Sequence, residues 1–195
     1  MTGRPELLLL RHGETEWNAE VRFQGSSDSA LTETGRAQAA ALGGLLQRLG
    51  VGPDTHVALT SSQGRAVETA RLALGPLGIE ARHDPRLVEI GMGSWTGLTR
   101  QEIEARWPGP EREPILAFYA RCPDGERLED VAARAGAVLA GIDAPTVIVA
   151  HGITLRVLCA LALGRDLAEA EHLFVPQGRV ARIMDGQVVL HMAEP

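Results

Sequence analysis

Four residues of two types recur at the ends of apolar runs. Leu7 to Leu10 run directly into Arg11, His12 and Gly13; "TVIVA" (146–150) runs into His151 and Gly152; and "HVALT" (56–60) is followed by Ser61, Ser62, Gln63, Gly64 and Arg65. Two arginines and two histidines brought to one place suit one task best, the holding of a phosphoryl group. Arginine presents a planar fork of donors that matches phosphate oxygens and stays charged at any working pH. The glycines after each histidine let backbone N–H groups approach the same oxygens, and a helix N-terminus just beyond adds favourable dipole charge.

The elements around these residues explain how they meet. Short apolar runs flanked by turn-forming residues read as strands buried on both faces. Between them lie helical patterns, "TETGRAQAAALGGLLQRLG" (32–50), opened by an N-cap at Thr32, and "GRAVETARLALGPLG" (64–78). Alternation of strand and helix implies parallel strands, whose carboxyl ends share one edge of the sheet, the edge where ligands bind in open α/β folds. The glycine-rich "LVEIGMGSWTGLTRQEIEARW" (87–107) and the Pro-punctuated, mostly helical 108–142 break the alternation, so a lid-like insertion is expected at roughly 90–130. "RVARIMDGQVVLHM" (179–192) reads as a hairpin turning at Asp185-Gly186. The expected architecture is one α/β domain over 1–195: a three-layer sandwich with a mostly parallel central sheet flanked by helices, plus a small helical lid.

Composition narrows the class. A chain of 195 residues with 45% hydrophobic and 23% charged residues is ordinary for a globular protein. No apolar run approaches the ~18 residues of a membrane span, and no signal-peptide pattern opens the chain, so a cytoplasmic location with no membrane partner is expected. A formal charge of −6 disfavours a nucleic-acid partner. All 19 basic residues are arginine, so a lone arginine carries little weight unless its position is special. Cys122 and Cys159 have no metal-ligand spacing, and His56, His83, His172 and His191 fit none either, so neither a metal nor a cofactor is expected. Trp17, Trp95 and Trp107 read as packing groups.

"RHGETEWN" (11–18) resembles the signature of the histidine phosphatase superfamily, the phosphoglycerate mutase-like proteins. Further segments match that family in order: "RFQGSSDSALTETGRAQA", "TSSQGRAVETA", "VEIGMGSWTGLT" and "VIVAHGITLRVL". The resemblance covers most of the chain. It implies that His12 is a nucleophile that becomes phosphorylated, that Arg11, Arg65 and His151 grip the phosphoryl oxygens, that Glu89 is the general acid, and that Asn18, Gln24, Gly25 and Gly152 line the substrate pocket. The chemistry agrees with that assignment. A neutral imidazole, with a reference pKa of about 6.5, is nucleophilic near neutrality, and a backbone carbonyl can fix its tautomer. The leaving alkoxide needs a proton from a carboxyl group. Glu14, next to the Arg-His-Gly turn, is the second carboxylate to consider.

Departures from the family bear on the reaction. The mutases it resembles carry an arginine and then a tyrosine after the acid glutamate, where Ile90 and Met92 stand here. Metal-independent hydrolysis of a small phosphorylated metabolite is therefore the expected activity, with mutase activity or dephosphorylation of a protein as alternatives. Arg127 replaces a common serine and Gln177 a common asparagine. Arg100, Arg106, Arg112 and Arg121 are read as solvated faces of lid helices, with contact to a second anionic group as the alternative. The oligomeric state and the identity of the substrate are not written in the sequence.

Overall fold

A computed structural model describes residues 4–193. The strands and helices, in chain order, are β1 (Leu7–Arg11), α1 (Glu16–Ala19), α2 (Glu33–Arg48), β2 (Val57–Ser61), α3 (Gly64–Leu74), β3 (Arg82–Asp84), α4 (Arg100–Arg106), α5 (Ile115–Ala120), α6 (Leu128–Leu139), β4 (Thr146–Ala150), α7 (Gly152–Ala162), β5 (Arg179–Met184) and β6 (Gln187–Met192). They form one six-stranded sheet in the order β3-β2-β4-β1-β5-β6. The first four of these are parallel, with Leu7 opposite Thr146 and Arg11 opposite Ala150. The β5–β6 hairpin adds antiparallel strands beyond β1, as the Asp185-Gly186 turn predicts.

The leucine run shows why the sheet sits in the middle. Leu7 and Leu9 pack with Ile148, Val138 and Leu158 on the layer of α6 and α7, whereas Leu8 and Leu10 pack with Leu42, Leu46 and Leu74 on the layer of α2 and α3. All four leucines are fully buried. Each contributes about 1.5–3 kcal/mol relative to an exposed side chain, which is why the run tolerates no polar residue until the strand ends. Burial on both faces is what helices on both sides of a parallel sheet require.

The expected lid segment starts as core. Ile90, Met92 and Trp95 are at most 1% exposed, and the Trp95 ring stacks at 4.7 Å from Phe118 of α5. The segment therefore rests on an aromatic foundation continuous with the sheet's own core, and α5 is held against one side of the strand ends. Of the described helices, none is long and apolar enough to cross a membrane.

Candidate active site

Parallel strands deliver the four strand-end residues to one place. The His12 amide donates to the Ala150 carbonyl at 3.0 Å, so the first histidine is fastened to the strand residue just before the second. The two imidazole rings lie 5.2 Å apart, tilted by 53°. Arg11, His12, Arg65 and Glu89 line a cavity of about 210 Å³ together with Asn18, Gln24, Gly25 and Tyr119. Larger hollows, of about 400 and 630 Å³, flank the short edge strand β3. They gather none of these residues, and the chemistry of the lining, more than size, marks the smaller cavity as the site.

His12 is held in one tautomer with one ring nitrogen left bare. Its Nδ1 lies 2.8 Å from the Gly13 carbonyl, which fixes the proton on Nδ1 and leaves the Nε2 lone pair free. Burial, reinforced by the charges of Arg11 and Arg65, holds its pKa well below the ordinary histidine value, so the ring is neutral at physiological pH. The turn after it is braced by packing and by hydrogen bonds. A Cβ on Gly13 would lie 2.3 Å from the Gly35 carbonyl at the start of α2, so the close approach of these two backbones demands glycine. The Gly13 amide donates to Thr69 Oγ1 of α3 at 3.0 Å.

The arginines differ in how they are held. Arg65 is 2% exposed and donates to the carbonyls of Ser27 and Gly25 and to Asp28, at 2.6, 3.0 and 2.9 Å. Its Nε is buried with no partner among the described residues, as is Nε of Arg11. Burial lowers the pKa of both guanidinium groups, a cost that a bound anion would offset. Arg11 also lies 5.8 Å from the ring centroid of the partly exposed Phe174, which Arg156 approaches to 4.9 Å.

Glu89 is anchored to the amino end of α7. Its Oε1 accepts from the amides of Ile90 and Thr154 at 3.0 and 3.1 Å, and its Oε2 from that of Ile153 at 3.2 Å. Oε2, with fewer partners, is the oxygen with room for a proton. A Cβ on Gly152 would fall 3.5 Å from that oxygen and 3.7 Å from Arg11 Cζ, which places Gly152 between the two. The Glu89 backbone is located by Gln63, which accepts from the Glu89 amide at 2.7 Å and donates to the Gly25 carbonyl at 2.9 Å.

The other expected pocket residues are placed with different degrees of freedom. Asn18 Oδ1 accepts from Thr15 N and from Gln177 Nε2, at 3.3 and 3.0 Å, which leaves its amide group as the part able to donate into the cavity. Gln24 borders the cavity, but its side chain is only 7% exposed and is committed to Thr15 and Ser29. Gly25 has φ +53°, and a Cβ there would meet Met92 at 2.8 Å, so glycine is required where the loop passes the acid segment. Glu14 turns away, its Oε1 accepting from Thr32 at the start of α2. None of the four lid arginines lines the cavity. Arg121 pairs with Glu104 and Glu113, Arg100 lies over the Phe118 ring, and Arg106 and Arg112 are exposed.

Sequence reasoning passed over three residues. Ser61 and Gln63 sit inside the "TSSQGRAVETA" segment, where a polar run at a buried strand end was the available signal. Tyr119, the one tyrosine of the chain, reaches the cavity from α5, and burial together with the Glu89 charge raises its pKa. A lone aromatic on a short lid helix gives no periodic pattern to read.

Comparison with known proteins places this geometry. The model of the histidine phosphatase superfamily (branch 1) matches residues 7–187. A probable phosphoglycerate mutase, GpmB, of Cronobacter sakazakii is 36% identical over 165 residues, covering 82% of this chain and 75% of that protein. A mycobacterial glucosyl-3-phosphoglycerate phosphatase, Rv2419c, solved in complex with VO3, superimposes with TM-score 0.81 at 31% identity over 96% of each chain. The α-ribazole phosphatase of Shigella flexneri superimposes with TM-score 0.77 at 26% identity, over 96% of this chain and 95% of that one.

Proposed function

Because the chain belongs to the histidine phosphatase superfamily (branch 1), we propose that it hydrolyses a small phosphomonoester through a phosphohistidine on His12. His12 Nε2 attacks phosphorus as the ester P–O bond breaks, Arg11, Arg65 and His151 hold the non-bridging oxygens, and Glu89 gives the leaving oxygen its proton. Water then attacks the phosphohistidine, its proton passes to Glu89, and the P–N bond pair returns to Nε2. Charge stabilisation by donors already in place costs no reorganisation in the transition state. No metal ion takes part in these steps.

One observation favours hydrolysis over phosphoryl transfer between substrate positions. Ile90 and Met92, which stand where the mutases carry an arginine and a tyrosine, are each 1% exposed and belong to the hydrophobic core. They offer a substrate carboxylate nothing. Arg22, the one further cation lining the cavity among the described residues, is already bonded to Glu20, Glu102 and the Gly97 carbonyl. A single phosphate on a compact alcohol fits this lining better than a bisphosphate. The mutase reading keeps its support from the likeness to GpmB.

The test is a screen of phosphorylated metabolites for phosphate release, run beside an assay of 3-phosphoglycerate isomerisation with 2,3-bisphosphoglycerate. Hydrolysis of the best ester should exceed isomerisation by a wide margin. Efficient isomerisation with feeble hydrolysis would make the protein a mutase.

A further inference from the structure

His151 carries the second buried ring of the site, and its hydrogen bonds are unequal. Nε2 lies 2.8 Å from Ser61 Oγ at the end of β2, whereas Nδ1 is buried with no partner among the described residues. Both residues are fully buried. The ring is neutral, because burial and then the charges of the nearby arginines, Arg65 and Arg11 among them, hold its pKa well below the ordinary value. A neutral imidazole has one proton, and only the nitrogen that carries it can donate to a phosphoryl oxygen.

The neighbours of Ser61 decide where that proton sits. Ser61 Oγ already accepts from the Gln63 amide at 3.3 Å. If His151 also donated to Oγ through Nε2–H, the serine's own proton would have no acceptor among the described residues, and His151 would offer the site no proton. If Ser61 donates to Nε2, every group is satisfied except Nδ1–H, which is left as a buried donor on a ring that lies 5.2 Å from His12 and feels the charges of Arg65 and Arg11. Each arrangement leaves one donor unmatched, but the first strands the Nδ1 lone pair as well, whereas the second leaves a single orphan, an Nδ1–H that an arriving acceptor can satisfy.

We infer that Ser61 is a positioning residue that holds His151 as its Nδ1–H tautomer, so that His151 meets the substrate as a neutral hydrogen-bond donor. The phosphoryl oxygen as the recipient of that bond rests on the proposed hydrolase reading; the tautomer does not. Free imidazole side chains favour the Nε2–H form, so the serine works against an intrinsic preference. The same device, in the mirror sense, fixes His12: there a carbonyl holds Nδ1–H so that Nε2 can attack. One histidine is thereby kept as a nucleophile and the other as a donor, within 5.2 Å of each other.

Long-range 15N–1H spectra of the histidine side chains in the intact protein test the assignment directly. The His151 signals should show a protonated Nδ1 and a bare Nε2, and Ser61→Ala should move the ring toward Nε2–H or a mixture. Orthovanadate should bind the Ser61→Ala protein about 10–100-fold more weakly, the scale on which loss of a histidine's orienting partner is felt. Ser61→Thr, which keeps the hydroxyl, should restore both the spectrum and the affinity. An Nε2–H ring in the unaltered protein, or an unchanged tautomer in Ser61→Ala, would overturn the inference. Spectra as expected in a protein that cleaves no phosphomonoester would leave the tautomer assignment standing and remove the hydrolase reading alone.

Discussion

Glu89 Oε1 accepts a hydrogen bond from the Thr154 amide at 3.1 Å, and the Thr154 hydroxyl, bonded to the Val88 carbonyl at 2.7 Å, reaches the same oxygen at 3.2 Å. The carboxyl group is thus fixed to the first turn of the helix that His151 begins, and the acid and the second histidine cannot move independently. In Glu89→Gln the loss should follow the leaving group. With an alkyl phosphate, formation of the phosphoenzyme should slow by about 10²–10⁴-fold, whereas a nitrophenyl phosphate, which expels a stable phenoxide, should be slowed far less. Single-turnover burst kinetics make the comparison, and equal losses would demote Glu89 to a structural role. Glu14 would be a poor replacement, since its carboxylate is spent on Thr32.

His12→Ala should abolish turnover with little change in secondary structure, because the imidazole borders the cavity and not the leucine core. Radiolabelled substrate and an alkaline quench should trap label on the unaltered protein and none on the variant. Turnover within a few-fold of the parent would refute covalent catalysis at this residue.

Acid should destabilise the fold through the two site histidines. Both native pKa values are depressed, so the unfolded chain, with histidines near pKa 6.5, binds protons that the native state does not. Their contribution is fully present above about pH 6.5 and is lost as the pH falls below it, with a slope of at most about 1.4 kcal/mol per pH unit for each ring. Denaturant melts between pH 8 and 5 should show this decline, and His12→Asn should make it shallower. Identical slopes would mean that His12 titrates normally in the folded protein.

Arg134 clamps the acid segment from behind. It makes a two-pronged pair with Glu126, at 2.8 and 3.0 Å, and donates to the Arg86 and Val88 carbonyls, while Glu126 accepts from the Gly91 amide. Arg134→Ala should cost about 1–3 kcal/mol by leaving these groups unpaired. It should also lower kcat more than vanadate affinity, since the segment that carries Glu89, and not Arg11, Arg65 or His151, is what it steadies. Equal losses in kcat and vanadate affinity would show that Arg134 supports the whole pocket.

Much of this site could be read from the chain because parallel strands impose a rule: β1, β2 and β4 are short apolar runs that each stop at a polar residue, and the sheet must bring those stops together. Helix limits followed nearly as well. Thr32 caps α2, and α3 ends at Leu74 in a 3-10 turn over Gly75–Leu77, where the pattern runs to 78. β3 was invisible, since Arg82-His83-Asp84 is a three-residue edge strand with no apolar alternation. Ile90 and Met92, in the segment expected to open a lid, are core beside Trp95, which was read as a packing group, because their glycine neighbours let the chain fold down: Gly93, at φ +35°, packs against the Pro123 and Asp124 backbone. Hydrogen-bond partners such as Ser61 and Gln63 leave no period in a sequence, and only the meeting of β2 with the loops reveals them.

The position of β1 bears on how the molecule is made. It lies between β4 and β5, so its two neighbours are Thr146–Ala150 and Arg179–Met184, well over a hundred residues later. A ribosome releases the chain in order, and the Arg-His-Gly turn therefore emerges long before anything exists to pair with its strand. Four adjacent leucines must wait unpaired through most of translation, a non-local closure of the sort that slows folding and invites association with other chains. The meeting place of His12 and His151 cannot exist until β4 and α7 have been synthesised, so any activity it carries would arrive late in translation, when the oldest strand slides in beside its much younger partners.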